Sequence, residues 1–109
     1  MSNVVNAGSP ASRVARASSS VCNLTEFGLN GFTEALRQEF VGEYVRVVVV
    51  EPGTVQTERV EHLGDAAPRQ ISGEPMRTED LADAIGHVVI RERRVAVNEM
   101  LVRAGDQTW

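Results

Sequence analysis

Val45-Arg46-Val47-Val48-Val49-Val50-Glu51, closed by Pro52-Gly53, is a nearly unbroken β-branched run that ends in two turn-forming residues. A run without apolar/polar alternation is expected of a strand covered on both faces, as in a parallel sheet with helices on each side. Proline lacks an amide donor and glycine turns freely, so the strand is predicted to end at Glu51.

Upstream, apolar or small residues at Leu24, Phe27, Gly28, Gly31, Phe32, Ala35, Leu36 and Phe40 recur at three-and-four spacing, which predicts a helix from Val21 to about Phe40. Glycine disfavours helix, so its place in this stripe predicts a second helix packed closely against it. Before the helix, Asn3 to Ala7 is β-prone, and Gly8-Ser9-Pro10 opens a long loop. Downstream of the valine strand, residues 56–77 are polar and punctuated by glycine and proline, a long excursion of the kind that covers sites. Thr78 is the expected N-cap of a second helix over Glu79 to Ile90, with Leu81, Ile85, Val88 and Val89 as its apolar face. Asn98 to Arg103 supplies a last short strand, and Ala104 to Trp109 reads as a tail.

This order of about three strands and two main helices predicts one α/β unit with parallel strands and right-handed crossovers. Three strands leave a β-branched edge that a partner or further strands would cover.

Composition narrows the function classes. With 109 residues, 42% hydrophobic and a formal charge of -4, the chain fits one small domain. Its eleven basic residues, all arginine, are scattered among fifteen acidic ones, which argues against nucleic acid as a partner. The absence of lysine removes Schiff-base chemistry and the phosphate-binding lysine of Walker motifs. Cys22 is the sole cysteine, so no internal disulfide is possible, and no stretch is apolar enough to span a membrane. Nothing at the N-terminus reads as a secretory leader, so the cytoplasm is the expected compartment. Isolated histidines at His62 and His87 give no metal cluster, and no Gly-x-Ser-x-Gly elbow supports a hydrolytic triad on Ser9.

Three segments carry a family pattern: Asn6-Ala7-Gly8-Ser9, then Cys22-Asn23-Leu24-Thr25-Glu26-Phe27-Gly28, then Glu51-Pro52-Gly53-Thr54-Val55-Gln56-Thr57. Together they resemble the C-terminal half of the short-chain dehydrogenase/reductase family (SDR), along the whole chain. That family has an Asn-x-x-Ser strand end, a Tyr-x-x-x-Lys motif thirteen residues after the serine, and a Pro-Gly turn after the next strand; all three spacings recur here. The implied fold is the C-terminal portion of a Rossmann-like doubly wound parallel sheet. The implied reaction is NAD- or NADP-dependent interconversion of an alcohol and a carbonyl.

By this resemblance Ser9 holds the catalytic serine position, Cys22 that of the tyrosine and Glu26 that of the lysine. Both changes oppose the chemistry, because a thiol is shorter than a phenol and a carboxylate repels a thiolate instead of stabilising it. Pro52, Gly53, Thr54 and Thr57 match the loop that lies along the nicotinamide. None of the nine glycines forms a Gly-x-Gly-x-x-Gly turn, so residues 1–109 are expected to be one truncated domain without the dinucleotide-binding half. Three expectations follow: no turnover by this chain alone; a homo-oligomer through helix 21–40, which the family uses as a dimer interface; and a possible N-terminal half supplied in trans.

Overall fold

A computed structural model describes residues 1–55 and 73–107. Strand β1, Ser2–Ala7, leads through a single 3-10 turn at Pro10–Ser12 into helix α1, Ser20–Glu39. Strand β2 is Val45–Pro52, helix α2 is Thr78–Val89 and strand β3 is Glu99–Val102. The sheet order is β1-β2-β3 and both pairings are parallel, with Val48 opposite Val5 and Val50 opposite Met100. The α/β reading therefore holds, with each element within a residue or two of its expected bounds.

Burial explains why the valine run is continuous. Val47, Val48, Val49 and Val50 are each at most 2% exposed. Val48 and Val50 pack with Val88 of α2, joined by Leu81 and Ile85. On the opposite face, a side chain at Gly8 would meet Val49, Glu51 and the Glu26 carboxylate of α1. Because side chains alternate along a strand, α1 and α2 lie on opposite faces of the sheet, as doubly wound requires.

This placement corrects the expected crossovers. Parallel strands in consecutive order, with their two connecting helices on opposite faces, must have connections of opposite hand, so they cannot both be right-handed.

Two local expectations also change. Thr78 is the first residue of α2 and not its cap; Arg77 takes the cap position, and its amide donates to Asp80 Oδ2 at 2.9 Å. In α1 the stripe of Leu24, Phe27, Gly28, Gly31 and Phe32 faces away from the sheet, and a side chain at either glycine would meet nothing within 4 Å. The helix presents Asn30, Thr33 and Arg37 inward instead: Thr33 accepts from Asn6 at 3.0 Å, and Arg37 Nε donates to the Val47 carbonyl at 3.2 Å. Phe32 is 58% exposed and Leu24 is 74% exposed, so the apolar face expected to meet another helix has no partner within the described residues.

Two arginines fasten the lower part of the fold. Arg46, on β2, donates to the Val89, Arg91, Glu92 and Val95 carbonyls and to Asn3 Oδ1, tying the end of α2 and the following turn to the sheet. Tyr44 sits just before β2 with a left-handed φ of 57°, and its exposed ring lies under Arg93. Among the described residues, no helix is long and apolar enough to cross a membrane.

Candidate functional site

Parallel strands end together, and the loops after β1 and β2 open on the same edge of the sheet. Between those loops and the first turn of α1 lies a cavity of about 300 Å³, lined among others by Ser9, Cys22, Pro52, Gly53 and Thr54. Five of the seven residues singled out from the sequence are thus brought to one place.

Glu26 and Thr57 are the other two. Glu26 lies one turn after Cys22 on α1 but is not part of the cavity wall; its Oε2 is buried near Gly8 and has no hydrogen-bond partner among the described residues. Thr57 lies outside the described residues, as do Gln56 and His62. His87 is exposed on α2 and takes no part in the cavity, so a triad with Ser9 is not assembled from it.

Local hydrogen bonds set the cavity's shape. Gly8 N donates to the Val50 carbonyl and Gly53 N to the Val102 carbonyl, each at 2.7 Å, so the strand ends remain paired up to the turns. Asn23 Nδ2 donates to the Val14 carbonyl and Asn23 Oδ1 accepts from Arg16 N, which binds the loop after β1 to the start of α1. Cys22 is exposed here as a free thiol in the first turn of α1.

Beside the cavity, Glu51 is fully buried within a charged cluster. Arg13 donates to both of its carboxylate oxygens at 2.8 Å, Ser12 Oγ donates at 2.6 Å, and Arg13 also reaches Glu99 at 3.4 Å. Burial pushes the Glu51 carboxyl up, but the hydrogen bonds from Arg13 and Ser12 and the Arg13 charge outweigh it, holding the group below its usual range. The pair with Glu51 raises Arg13 in turn.

Arg16 and Gln107 also line the wall, and no motif or periodicity points to either. Arg16 lies in a stretch without apolar period, and Gln107 in what read as a tail. That tail folds back instead: Ala104 is 6% exposed, Gln107 is 8% exposed, and Gln107 Oε1 accepts from the Thr54 amide at 3.0 Å. Its carboxamide lies so close over Gly53 that a Cβ there would sit 2.9 Å from Gln107 Cδ, so any larger residue would displace the Gln107 side chain.

Comparison with known proteins places this arrangement. The family model for short chain dehydrogenase matches residues 1–68. An uncharacterized oxidoreductase of Staphylococcus saprophyticus is 30% identical over 111 residues, covering 96% of this chain and 45% of the relative. The NADP-dependent 3-hydroxy acid dehydrogenase of Schizosaccharomyces pombe is 34% identical over 104 residues, covering 91% of this chain and 40% of its own length. The closed form of serine dehydrogenase complexed with NADP+ superposes with a TM-score of 0.82 at 25% identity, over 98% of this chain and 46% of that one. The chain therefore spans about half the length of the relatives it matches.

Proposed function

The chain belongs to the short chain dehydrogenase family, and from that premise we propose that it derives from an oxidoreductase interconverting an alcohol and a carbonyl with NAD or NADP, but does not turn over by itself. Bound NAD(P)H would supply a hydride to the substrate carbon, while the protein would exchange a proton at the oxygen. The single observation that supports the reading is the cavity lined by Ser9 and the Cys22 thiol, which the resemblance assigns to the family's serine and tyrosine positions, while the Glu26 carboxylate lies near Gly8 and outside the wall.

Pro52, Gly53 and Thr54, which the resemblance assigns to the nicotinamide loop, are met by Gln107: it accepts from the Thr54 amide and its carboxamide covers Gly53, which argues against cofactor binding by this chain alone. Residues 1–109 hold no glycine-rich strand-to-helix turn to cradle a pyrophosphate. Fluorescence titration with NADPH and NADH is expected to give no saturable binding to this chain and no oxidation of cofactor with carbonyl substrates. Saturable binding with turnover overturns the proposal. Binding recovered only after mixing with a separate N-terminal half would identify the chain as one part of a split dehydrogenase.

The exposed face of α1 favours a second reading, an association module. Leu24, Phe27 and Phe32 form an apolar strip around Gly28 and Gly31, where another helix can approach closely. A homo-oligomer built on this strip would outlast the loss of chemistry. Phe32→Glu is expected to weaken association by about a hundredfold, the scale of a central interface residue, as read by analytical ultracentrifugation. An unchanged association state would remove α1 as the interface.

A further inference from the structure

We infer that the Ala104–Gln107 turn is a two-sided clip: Gln107 grips Gly53 and Thr54, Asp106 grips Gly73, and the two ends of the connection between β2 and α2 are held or released together. The inference needs neither cofactor, turnover nor association.

The two ends lie next to each other. Val55 and Met76 form a parallel bridge, and Met76 is 6% exposed. The chain thus passes Val55 on its way out and Met76 on its way back, side by side. Gly53 N donates to the Val102 carbonyl, so the outgoing end also starts beside the end of β3. Ala104 follows two residues later, which brings the C-terminal turn to the same place.

The turn is closed by a hydrogen bond from Gln107 N to the Ala104 carbonyl at 3.0 Å. Ala104 and Gln107 are its buried corners, while Gly105 and Asp106 are exposed. On one side Gln107 Oε1 accepts from the Thr54 amide. On the other, the Asp106 carboxylate lies against Gly73: a Cβ there would sit 3.3 Å from Asp106 Cγ and closer still to Oδ2. Adjacent residues of one turn therefore touch the chain before and after the same connection, each at a glycine whose bare backbone admits the approach.

Coupling between the ends follows from this sharing. A single hydrogen bond or a single packed carboxylate stabilises a loop end only modestly. Both ends, however, depend on the same turn and on the Val55–Met76 bridge, so opening at one end strips partners from the other. Segments linked in this way open as one cooperative unit. Pro52, Gly53, Thr54 and Gln107 line the cavity beside Ser9 and Cys22, so this unit also sets one of its walls.

The test is hydrogen–deuterium exchange read by mass spectrometry on residues 53–55 and 73–77, with residues 47–50 as the reference for global opening. Gln107→Met keeps much of the bulk and removes the oxygen that the Thr54 amide bonds. It is expected to speed exchange about tenfold, beyond any change in 47–50, in 53–55 and also in 73–77, although Asp106 and not Gln107 lies against Gly73. Gly73→Ala pushes the Asp106 carboxylate aside from the opposite end and is expected to speed exchange in 53–55 by a similar factor. Gly73 is exposed, so this variant tests the clip even where Gln107→Met fails to fold. Gly105→Ala, at a position where a side chain would meet nothing within 4 Å among the described residues, is the control and should change neither segment. Acceleration confined to the substituted end, acceleration no greater than that of 47–50, or an equal effect of the control each overturn the inference.

Discussion

Replacing Arg13 with methionine is expected to lower the stability of the fold by about 3 kcal/mol near neutral pH, as measured by urea unfolding. Glu51 has no exposed surface, and in the variant only Ser12 would remain to bond it. Removing one partner of a buried pair leaves the other charge without compensation. The figure is set at the low end of that range because the Arg13 side chain is 37% exposed and part of the pair is already screened by water. For a domain whose total stability is of order 10 kcal/mol, the loss is large.

The pH dependence separates this account from simple loss of packing. In the native protein the folded Glu51 pKa is lowered, so its contribution to stability is complete above the unfolded carboxylate value of about 4.3 and is lost as pH falls through the lower folded value. Without Arg13, burial becomes the ruling influence and the folded pKa moves up instead. The variant should then gain stability as pH falls through that raised value toward the unfolded one of about 4.3, over a window in which the native protein gains none from this group. The difference between the two proteins should therefore shrink on acidification. A difference that stays constant from neutral to mildly acid pH would show that Glu51 is not the group left exposed to burial.

Arg46→Met is expected to cost about 3 kcal/mol and to lower the melting temperature by roughly 15 °C, as measured by calorimetry. The guanidinium donates to four main-chain carbonyls between Val89 and Val95 and to Asn3 Oδ1, at distances from 2.8 to 3.2 Å. Carbonyls at a helix end have no partner within the helix, and a cation there also suits its dipole. Methionine keeps much of the stem volume and removes every donor. Hydrogen exchange should accelerate first in the last turn of α2 and at residues 91–95, while the amides of Val48 and Val50 respond only through the loss of overall stability. Uniform acceleration without that local excess would mean that Arg46 acts through the sheet and not through the end of α2.

Much of the candidate site was legible in the sequence because its residues sit at fixed distances from strand ends. Ser9 follows β1 closely and the Pro52-Gly53 turn closes β2, so parallel pairing brings the two loops to one edge. Cys22 joins them because α1 starts only where the intervening loop allows. Glu26 was read into the same site from its spacing to Cys22, yet the helix carries it under Gly8, outside the cavity wall. Arg16 and Gln107 left no trace, since neither belongs to a periodic pattern and the contact between Gln107 and Thr54 joins residues far apart in the chain.

The sequence alone determined the α/β class, the order of the elements and the continuous burial of Val47 to Val50, because periodicity and turn chemistry are local properties. The helix period also located an apolar stripe on α1, but which way that stripe faces was decided only in three dimensions: the sheet takes the side bearing Asn30, Thr33 and Arg37, and Leu24 and Phe32 are left outside. The faces on which α1 and α2 pack were likewise decided by the whole fold, because a long connection leaves both faces reachable. So was the capture of Glu51 by Arg13 and of the Thr54 amide by Gln107. Those pairings depend on where distant strands end relative to one another, and only the assembled sheet sets that distance.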